Sequence, residues 1–220
     1  MRDLAYQALR DAIVSGRLRP GMPVPEGRLA EELQVSRTPL REAFVRLQSE
    51  RLLRRAPNGR LFVTDVSPEE AINLYAVRIA LEELALVEAI DHSTPGLVAD
   101  LEASIASFQL DEPPDVTSPG FPFHHLIYER SRNPINRRMF EQLHVMTDRY
   151  GMIGLQDGRE RREQVNRGHQ QIVDAVRRRD PAAACAAMRE HLADGCERVV
   201  STLGDISQYR GELERLRSPK

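Results

Sequence analysis

Apolar residues recur at helical spacing along most of this chain, and the pattern changes near residue 66. The first 66 residues predict three short helices and a hairpin, with a turn region rich in proline and glycine after the first helix. From Ser67 onward the pattern is helical almost throughout, and Ser67, Pro68 and Glu70 have the chemistry of a helix start. The pattern therefore predicts two domains, at residues 1–66 and 67–220. In the second, further helices are predicted at about 96–110, 120–131, 134–156, 159–179, 181–203 and 205–216.

The third predicted helix combines an apolar stripe with a cationic face. With Ser36 at its N-cap, the positions i, i+3, i+4 and i+7 of the stripe are Leu40, Ala43, Phe44 and Leu47. The opposite face carries Arg37, Thr38, Arg41, Val45 and Gln48. Guanidinium groups, a hydroxyl and the free amides of a helix N-terminus suit phosphate oxygens and guanine edges. These residues indicate a helix that contacts DNA; the alternative is a three-helix subdomain whose arginines are only solvated.

The segments on either side of this helix fit a winged helix-turn-helix. The preceding "RLAEEL" predicts a helix that the short "QVS" bend joins to the third helix. Asn58-Gly59 is a strong signal for a two-residue hairpin turn, with strands predicted at Leu53–Arg55 and Leu61–Thr64. Asn58 and Arg60 would lie at a hairpin tip that can reach a neighbouring groove. The expected fold is mostly α, with an N-terminal winged helix-turn-helix and a C-terminal antiparallel all-helical bundle.

Charge separates the two parts in the same way. The first 66 residues contain 12 arginines and eight acidic residues, a balance of +4, although the whole chain has a net charge of −2. A basic N-terminal part, residues 1–66, followed by an acidic helical body, residues 67–220, indicates that only the N-terminal part binds a polyanion. No apolar run approaches the roughly 20 residues that span a bilayer, and the N-terminus predicts a helix and not a signal peptide. We therefore expect a cytoplasmic protein without a membrane partner, whose Cys185 and Cys196 are reduced thiols.

The stretch "LAEELQVSRTPLREAFVRLQSERLL" resembles the winged helix-turn-helix of GntR-family bacterial transcription regulators. The shared pattern includes Glu26, Leu29-Ala30, Val35 through Leu40, and Arg41-Glu42-Ala43, and "NGRLFV" is similar to the wing of the family. The glycine that usually precedes Val-Ser-Arg is Gln34 here. The resemblance implies that operator DNA is contacted by Ser36, Arg37, Thr38 and Arg41, with Asn58 or Arg60 helping from the wing.

Histidines are the main candidates for chemistry in the helical body. His169 begins an apolar pattern and His191 adjoins Leu192, so both side chains can face the interior. Neutral imidazoles that face each other inside a bundle suit Zn²⁺, Ni²⁺ or a similar divalent ion. Sequence spacing alone leaves open the alternative of hydrogen-bonded core histidines.

The helical body resembles the FCD effector domain of the FadR-like branch of that family, through "DVSPEEAINLYAVRIALEELA", "FHHLIYERSRNPI", "HQQIVDAVRRRD" and "AAMREHL". Metal-binding members use one aspartate and three histidines, and the matching positions are Gly120, His124, His169 and His191. The resemblance therefore implies a three-histidine metal site, for Zn or Ni, completed by water or by the effector. The alternative is a metal-free pocket in which the histidines contact the effector directly.

Arg78 is the candidate for binding an anion. A buried arginine on the first body helix needs a negative partner, which is either an internal glutamate or an effector carboxylate in a bidentate pair. The resemblance favours the pocket, so we expect a small organic acid near Arg78, His124, His169 and His191. Glu82 and Glu83 are assigned to ordinary helix pairing.

Together these features predict a ligand-responsive transcription regulator that is not an enzyme. We expect a homodimer whose two recognition helices meet adjacent major-groove faces of double-stranded operator DNA, with effector binding transmitted through the junction at Thr64–Pro68. One alternative is a metal-dependent enzyme that uses the three histidines, although no general base or nucleophile motif is apparent. Another is a winged helix that binds protein and ignores DNA.

Overall fold

The computed structural model describes residues 2–92, 95–108, 122–155 and 158–218. Its elements confirm a mostly helical chain with one small hairpin. The front part contains α1 (Arg2–Val14), α2 (Glu26–Glu32), α3 (Arg37–Ser49), β1 (Leu53–Arg55) and β2 (Leu61–Val63). The body contains α4 (Pro68–Asp91), α5 (Pro95–Ser107), α6 (Pro122–Arg130), α7 (Pro134–Gly154), α8 (Arg159–Arg177), α9 (Pro181–Leu203), a 3₁₀ turn (Ile206–Tyr209) and α10 (Arg210–Arg217). Gly120, the position matched to the family's aspartate, lies outside the described residues.

The front helices share one core, and the stripe predicted on α3 is part of it. Leu40 and Leu47 are fully buried beside Tyr6 and Leu9 of α1. The bend between α2 and α3 passes through Gln34, whose φ of 52° lies in the left-handed region. Ser36 follows in the extended conformation at the N-cap of α3, but its side chain makes no cap hydrogen bond. The hydroxyl of Ser36 is therefore not used by the helix itself.

The hairpin has the predicted strands but a different turn. β1 and β2 pair antiparallel, with Leu53 opposite Val63 and Arg55 opposite Leu61, so β2 ends one residue earlier than predicted. The Gly59 N–H donates to the Ala56 carbonyl at 2.8 Å, which makes Pro57 and Asn58 the central residues. The expected two-residue Asn58-Gly59 turn is therefore wrong. An Asn58-Gly59 turn would need the N–H of the residue at position 57 to close onto Arg60, and proline has none, so the Ala56 N–H donates to the Arg60 carbonyl instead. Of the two turn residues, only Gly59 has a positive φ, at 80°.

Helices α4 and α9 form the centre of the body, and the other helices pack around this pair. Ser67 caps α4 as predicted, because its hydroxyl accepts the Glu70 N–H at 3.1 Å. Tyr75 of α4 approaches α9 at Gly195, where an added Cβ would lie 3.0 Å from the tyrosine ring. Neither Cys185 nor Cys196 is in a disulfide. None of the helices described for this chain is both long and apolar enough to cross a membrane.

Helix α7 connects the body to the front part. Val145 is buried in the core of the front helices, and Asp148 accepts from Arg10 of α1 at 2.5 Å. Arg149 donates to the hydroxyl and the carbonyl oxygen of Thr64 at 2.8 and 2.6 Å. The Tyr150 hydroxyl donates to Glu70 at 2.6 Å. One face of α7 thus contacts α1 together with the segment that leads from the hairpin into α4.

The conformation of Gln34 generates a prediction about stability. A non-glycine residue in the left-handed region is strained, and the Gln34 side chain is exposed, so Gln34→Gly should relieve strain without removing packing. After the greater entropy loss of glycine, we expect a gain of about 0.5–1 kcal/mol in the free energy of unfolding. Urea unfolding followed by circular dichroism at a helical wavelength measures the gain. Gln34→Ala, which keeps the Cβ, is the matched control; equal midpoints for the two variants would contradict the assignment.

Candidate functional site

The exposed face of α3 carries the predicted DNA-contacting residues together. Ser36, Arg37, Thr38 and Arg41 are all exposed in the first turns of the helix. Arg37 has no ion pair among the residues that the structure describes. Arg41 does have one, because its Nε lies 2.7 Å from Oε1 of Glu26, although its side chain is 66% exposed. The hydrogen bond to Glu26 comes from Nε of Arg41, so the terminal Nη atoms, a pair of donors that suits guanine O6 and N7, are not needed for this contact.

The wing continues this cationic surface. Arg60 is exposed, and its backbone N–H donates to Oδ1 of Asn58 at 3.1 Å, so Asn58 shapes the tip from within. Arg55 also supports the tip through a bond of 2.9 Å from Nη1 to the Gly59 carbonyl. Arg55 was not among the residues singled out in the sequence, and its place in a strand next to the turn was the only available signal. Glu26, Arg55 and Arg60 line one groove, so the wing lies next to Glu26, the ion-pair partner of Arg41.

His124, His169 and His191 meet inside the body, from α6, α8 and α9. All three side chains are buried, and one ligand atom from each lies within 4.8 Å of the others. Tetrahedral zinc needs nitrogen atoms about 3.4 Å apart, so small side-chain movements would complete such a site. His169 Nε2 is buried without a hydrogen-bond partner in the described part of the chain. A buried, unpartnered imidazole nitrogen fits a divalent transition metal, and the prediction that three helices converge on these residues is supported.

Burial lowers the pKa of both His169 and His191 well below the ordinary value, and neighbouring positive groups lower it further. Both imidazoles are therefore neutral near pH 7, as metal ligands must be. The ring of His169 is also stacked on Phe123 with 3.9 Å between ring centroids. Gly168 leaves the space that His191 needs, because a Cβ there would lie 2.6 Å from its Nδ1.

Glu82 joins Arg78 to this cluster, because it forms the predicted kind of helix pair with Arg78, four residues earlier, and in addition contacts His124 of α6. Its buried carboxylate accepts from Nε and Nη2 of Arg78, at 3.0 and 2.9 Å, and is hydrogen-bonded to Nδ1 of His124. Burial alone would raise the pKa of Glu82, but His124 and Arg78 lower it to about 2. Because Nδ1 of His124 faces Glu82, Nε2 is the nitrogen that a metal would contact. Glu83 contacts Arg189 of α9 at 2.6 Å, so it pairs between helices and not within α4 as predicted.

The histidines line a small cavity that shares lining residues with a larger groove. The cavity has a volume of about 40 Å³, and the groove one of about 670 Å³. His191 and Arg198 line both spaces, and Gly168 lines the groove. Arg78 lines the inner cavity, where its partner is the internal glutamate that the sequence left as one alternative. Arg198 was missed in the sequence, although it follows His191 by seven residues and so lies on the same face of α9.

Comparisons with known proteins cover both parts of the chain. Residues 2–63 match "Bacterial regulatory proteins, gntR family", and residues 73–194 match the FCD domain. The chain is 28% identical over 214 residues to the HTH-type transcriptional repressor RspR of Escherichia coli K12, covering 94% of this chain and 92% of that protein. It is 26% identical over 203 residues to a Bacillus subtilis 168 protein described as the uncharacterized HTH-type transcriptional regulator YdhC, with 90% of each covered.

Among solved structures, E. coli McbR/YncC has a TM-score of 0.71 at 24% identity, covering 99% of this chain and 98% of that one, which shows a shared fold. The alternative of a metal-dependent enzyme finds no support in these comparisons. The expected winged helix-turn-helix and FCD-type body are confirmed. The chain is therefore a member of the GntR family of bacterial transcription regulators, with an N-terminal DNA-binding domain followed by an FCD domain.

Proposed function

We propose that this regulator binds its operator as a homodimer, through α3 and the wing, and that a small carboxylate bound in the FCD domain controls the affinity. GntR regulators bind operator DNA and FCD domains bind small-molecule effectors, so the proposal concerns the residues and the chemistry. The observation that carries it is the buried chain Arg78–Glu82–His124, which ends at three clustered histidines. We place the two domains at residues 1–66 and 67–220, with the junction at Thr64–Pro68.

On the DNA side, Ser36, Arg37, Thr38 and Arg41 would enter the major groove while Asn58 and Arg60 place the wing. Free hydroxyl and amide groups at the N-terminus of α3 suit phosphate oxygens. Glu26 would hold Arg41 by its Nε so that both Nη atoms meet one guanine. The ion pair at Glu26 is thus compatible with DNA binding, since its geometry leaves the base-reading edge available.

On the effector side, His124, His169 and His191 would hold a divalent metal such as Zn²⁺ or Ni²⁺. When bound, the metal would supply a Lewis-acidic position that attracts a carboxylate oxygen. Glu82 would fix the tautomer and ring orientation of His124, and Arg78 would keep Glu82 ionised inside the bundle. Gly168 would keep His191 close to its neighbours. The alternative of a metal-free pocket uses the same three imidazoles to contact the effector directly.

Helix α7 supplies a route between the two sites. Gly151, Gly154 and Leu155 at its C-terminal end line the histidine cavity. One or two turns earlier, Val145 and Asp148 contact the front helices. A ligand that favours one position of α7 would favour one arrangement of the DNA-binding domain, with a coupling free energy of about 1–3 kcal/mol in typical regulators.

The DNA proposal predicts the behaviour of Arg41→Ala. We expect this variant to lose about 1–3 kcal/mol of affinity for the promoter of its own gene, because a bidentate contact to guanine is removed. Gel-shift titration of the full chain at several salt concentrations measures the loss. Wild-type affinity should fall steeply as salt is added.

Arg215→Ala is the matched control, because Arg215 is an exposed arginine of α10 that is also paired with a glutamate. Glu26→Gln tests the positioning role, and we expect it to weaken operator binding more than binding to unrelated DNA. Equal affinities for Arg41→Ala and the wild type would contradict the assignment of α3 as the helix that reads bases.

The metal proposal predicts near-stoichiometric zinc after incubation of a chain purified without a metal-affinity tag. Elemental analysis should show that His169→Ala and His191→Ala each lose this metal, because only two nitrogen ligands remain. His92→Ala, which removes an exposed histidine, should keep it. Zinc absent from the wild type, or retained equally by all variants, would contradict the metal site and favour the metal-free pocket.

A further inference from the structure

Arg198 is a cation at the histidine cavity that has no carboxylate in an ion pair with it among the residues that the structure describes. It lies on α9 two turns beyond His191 and lines both the inner cavity and the outer groove. Its guanidinium has no hydrogen bond or ion pair within residues 2–92, 95–108, 122–155 and 158–218. The acids nearest to it on α9, Asp194 and Glu197, contact Arg217 of α10 instead, at 2.6 and 2.8 Å. Arg198 therefore lines the site without an ion pair of its own among the described residues, and Asp194 and Glu197 act on it only from a distance.

The other charged groups of the inner cavity are already balanced. The charge of Arg78 is matched by Glu82, which contacts it through two guanidinium nitrogens. Burial lowers the pKa of Arg198, and the nearby Asp194 and Glu197 offset only part of that effect. Arg198 is thus the arginine of the cavity wall that has no ion pair among the described residues.

The sizes of the two spaces show where a ligand must pass. A cavity of about 40 Å³ holds a few water molecules at most, given that each needs roughly 10–15 Å³. A small organic acid must therefore extend into the groove of about 670 Å³. His191 and Arg198 are the two residues that line both spaces. A ligand that extends from the histidines into the groove would therefore lie beside Arg198.

We infer that Arg198 is the residue that recognises the anionic group of the effector. Its planar guanidinium would donate two parallel hydrogen bonds to the oxygens of a carboxylate. This assignment rests on the proposed function, in which the cavity takes a small carboxylate. The effector carboxylate that the sequence placed at Arg78 is assigned to Arg198 instead, because Glu82 already neutralises the charge of Arg78. Arg78 is then a positioning residue that acts through Glu82 on His124.

The first test exploits the cost of an unpaired charge. Arg198→Met keeps the aliphatic stem but removes the half-buried cation, so in the absence of anions we expect its melting midpoint to rise by about 2–4 °C. Acetate, malonate and citrate, which carry one, two and three carboxylates, should raise the midpoint of the wild type and not that of Arg198→Met. Both series are measured on the full chain by circular dichroism, after EDTA treatment and again with zinc.

Arg167→Met is the matched control, since Arg167 is an exposed arginine of the outer groove that does not line the inner cavity. We expect it to respond to the three anions as the wild type does. Arg198→Lys should recover part of the response, because lysine restores the charge without the planar fork.

Three results would overturn the assignment. They are a lower midpoint for Arg198→Met without anions, an equal response of Arg198→Met and wild type to the carboxylates, and no response of the wild type to any of them. Metal analysis and operator binding of the wild type are measured separately. A failure at Arg198 alone therefore leaves the proposed regulator and its metal site standing, whereas loss of those two activities would remove the proposed function itself.

Discussion

The buried carboxylate of Glu82 is the constraint on which the effector site depends. An ionised carboxylate inside a helical bundle is stable only when cations and hydrogen bonds compensate for lost hydration. Arg78 provides the cation one turn away on α4, and His124 of α6 provides a hydrogen bond from the opposite side. Because Glu82 can be satisfied only when these helices are in register, the same contacts that keep it ionised also fix the orientation of His124 toward His169 and His191.

Helix α7 gives this local arrangement a consequence elsewhere in the chain. One stretch of the helix packs on α1 through Val145 and Asp148, and its end lines the cavity through Gly151 and Gly154. Glycines at the cavity let the α7 backbone approach α9 closely, since a Cβ at Gly154 would lie 3.1 Å from Val199. A change in the cavity would therefore reach the backbone of α7 with few flexible side chains in between.

The sequence predicted the parts of the fold that depend on local chemistry. Helix periodicity, the Ser67 cap and the apolar stripe of α3 are local properties, and the structure has all three. The hairpin turn was predicted wrongly because the Asn58-Gly59 signal was considered without Pro57, which excludes that turn type. The left-handed bend at Gln34 is likewise set by the need to join α2 to α3, and not by a preference of glutamine.

The site was harder to predict, because it depends on which faces of distant helices meet. His124, His169 and His191 came from a family resemblance, and spacing alone could not bring them together. Glu82 looked like a member of an ordinary helix pair, since its link to His124 crosses 42 positions of sequence. Arg198 escaped notice because an arginine near acids resembles a solvated surface residue, and only the structure shows that Arg217 contacts those acids.

The central claim is that the histidine cavity and the DNA-binding domain are coupled through α7. Hydrogen–deuterium exchange of the full chain, with and without zinc, tests it most directly. The account predicts that zinc slows amide exchange in α6, α8 and α9 and also in α7 and α1, and that His191→Ala abolishes both effects. Slower exchange confined to the three histidine-bearing helices, with α7 and α1 unchanged, would contradict it.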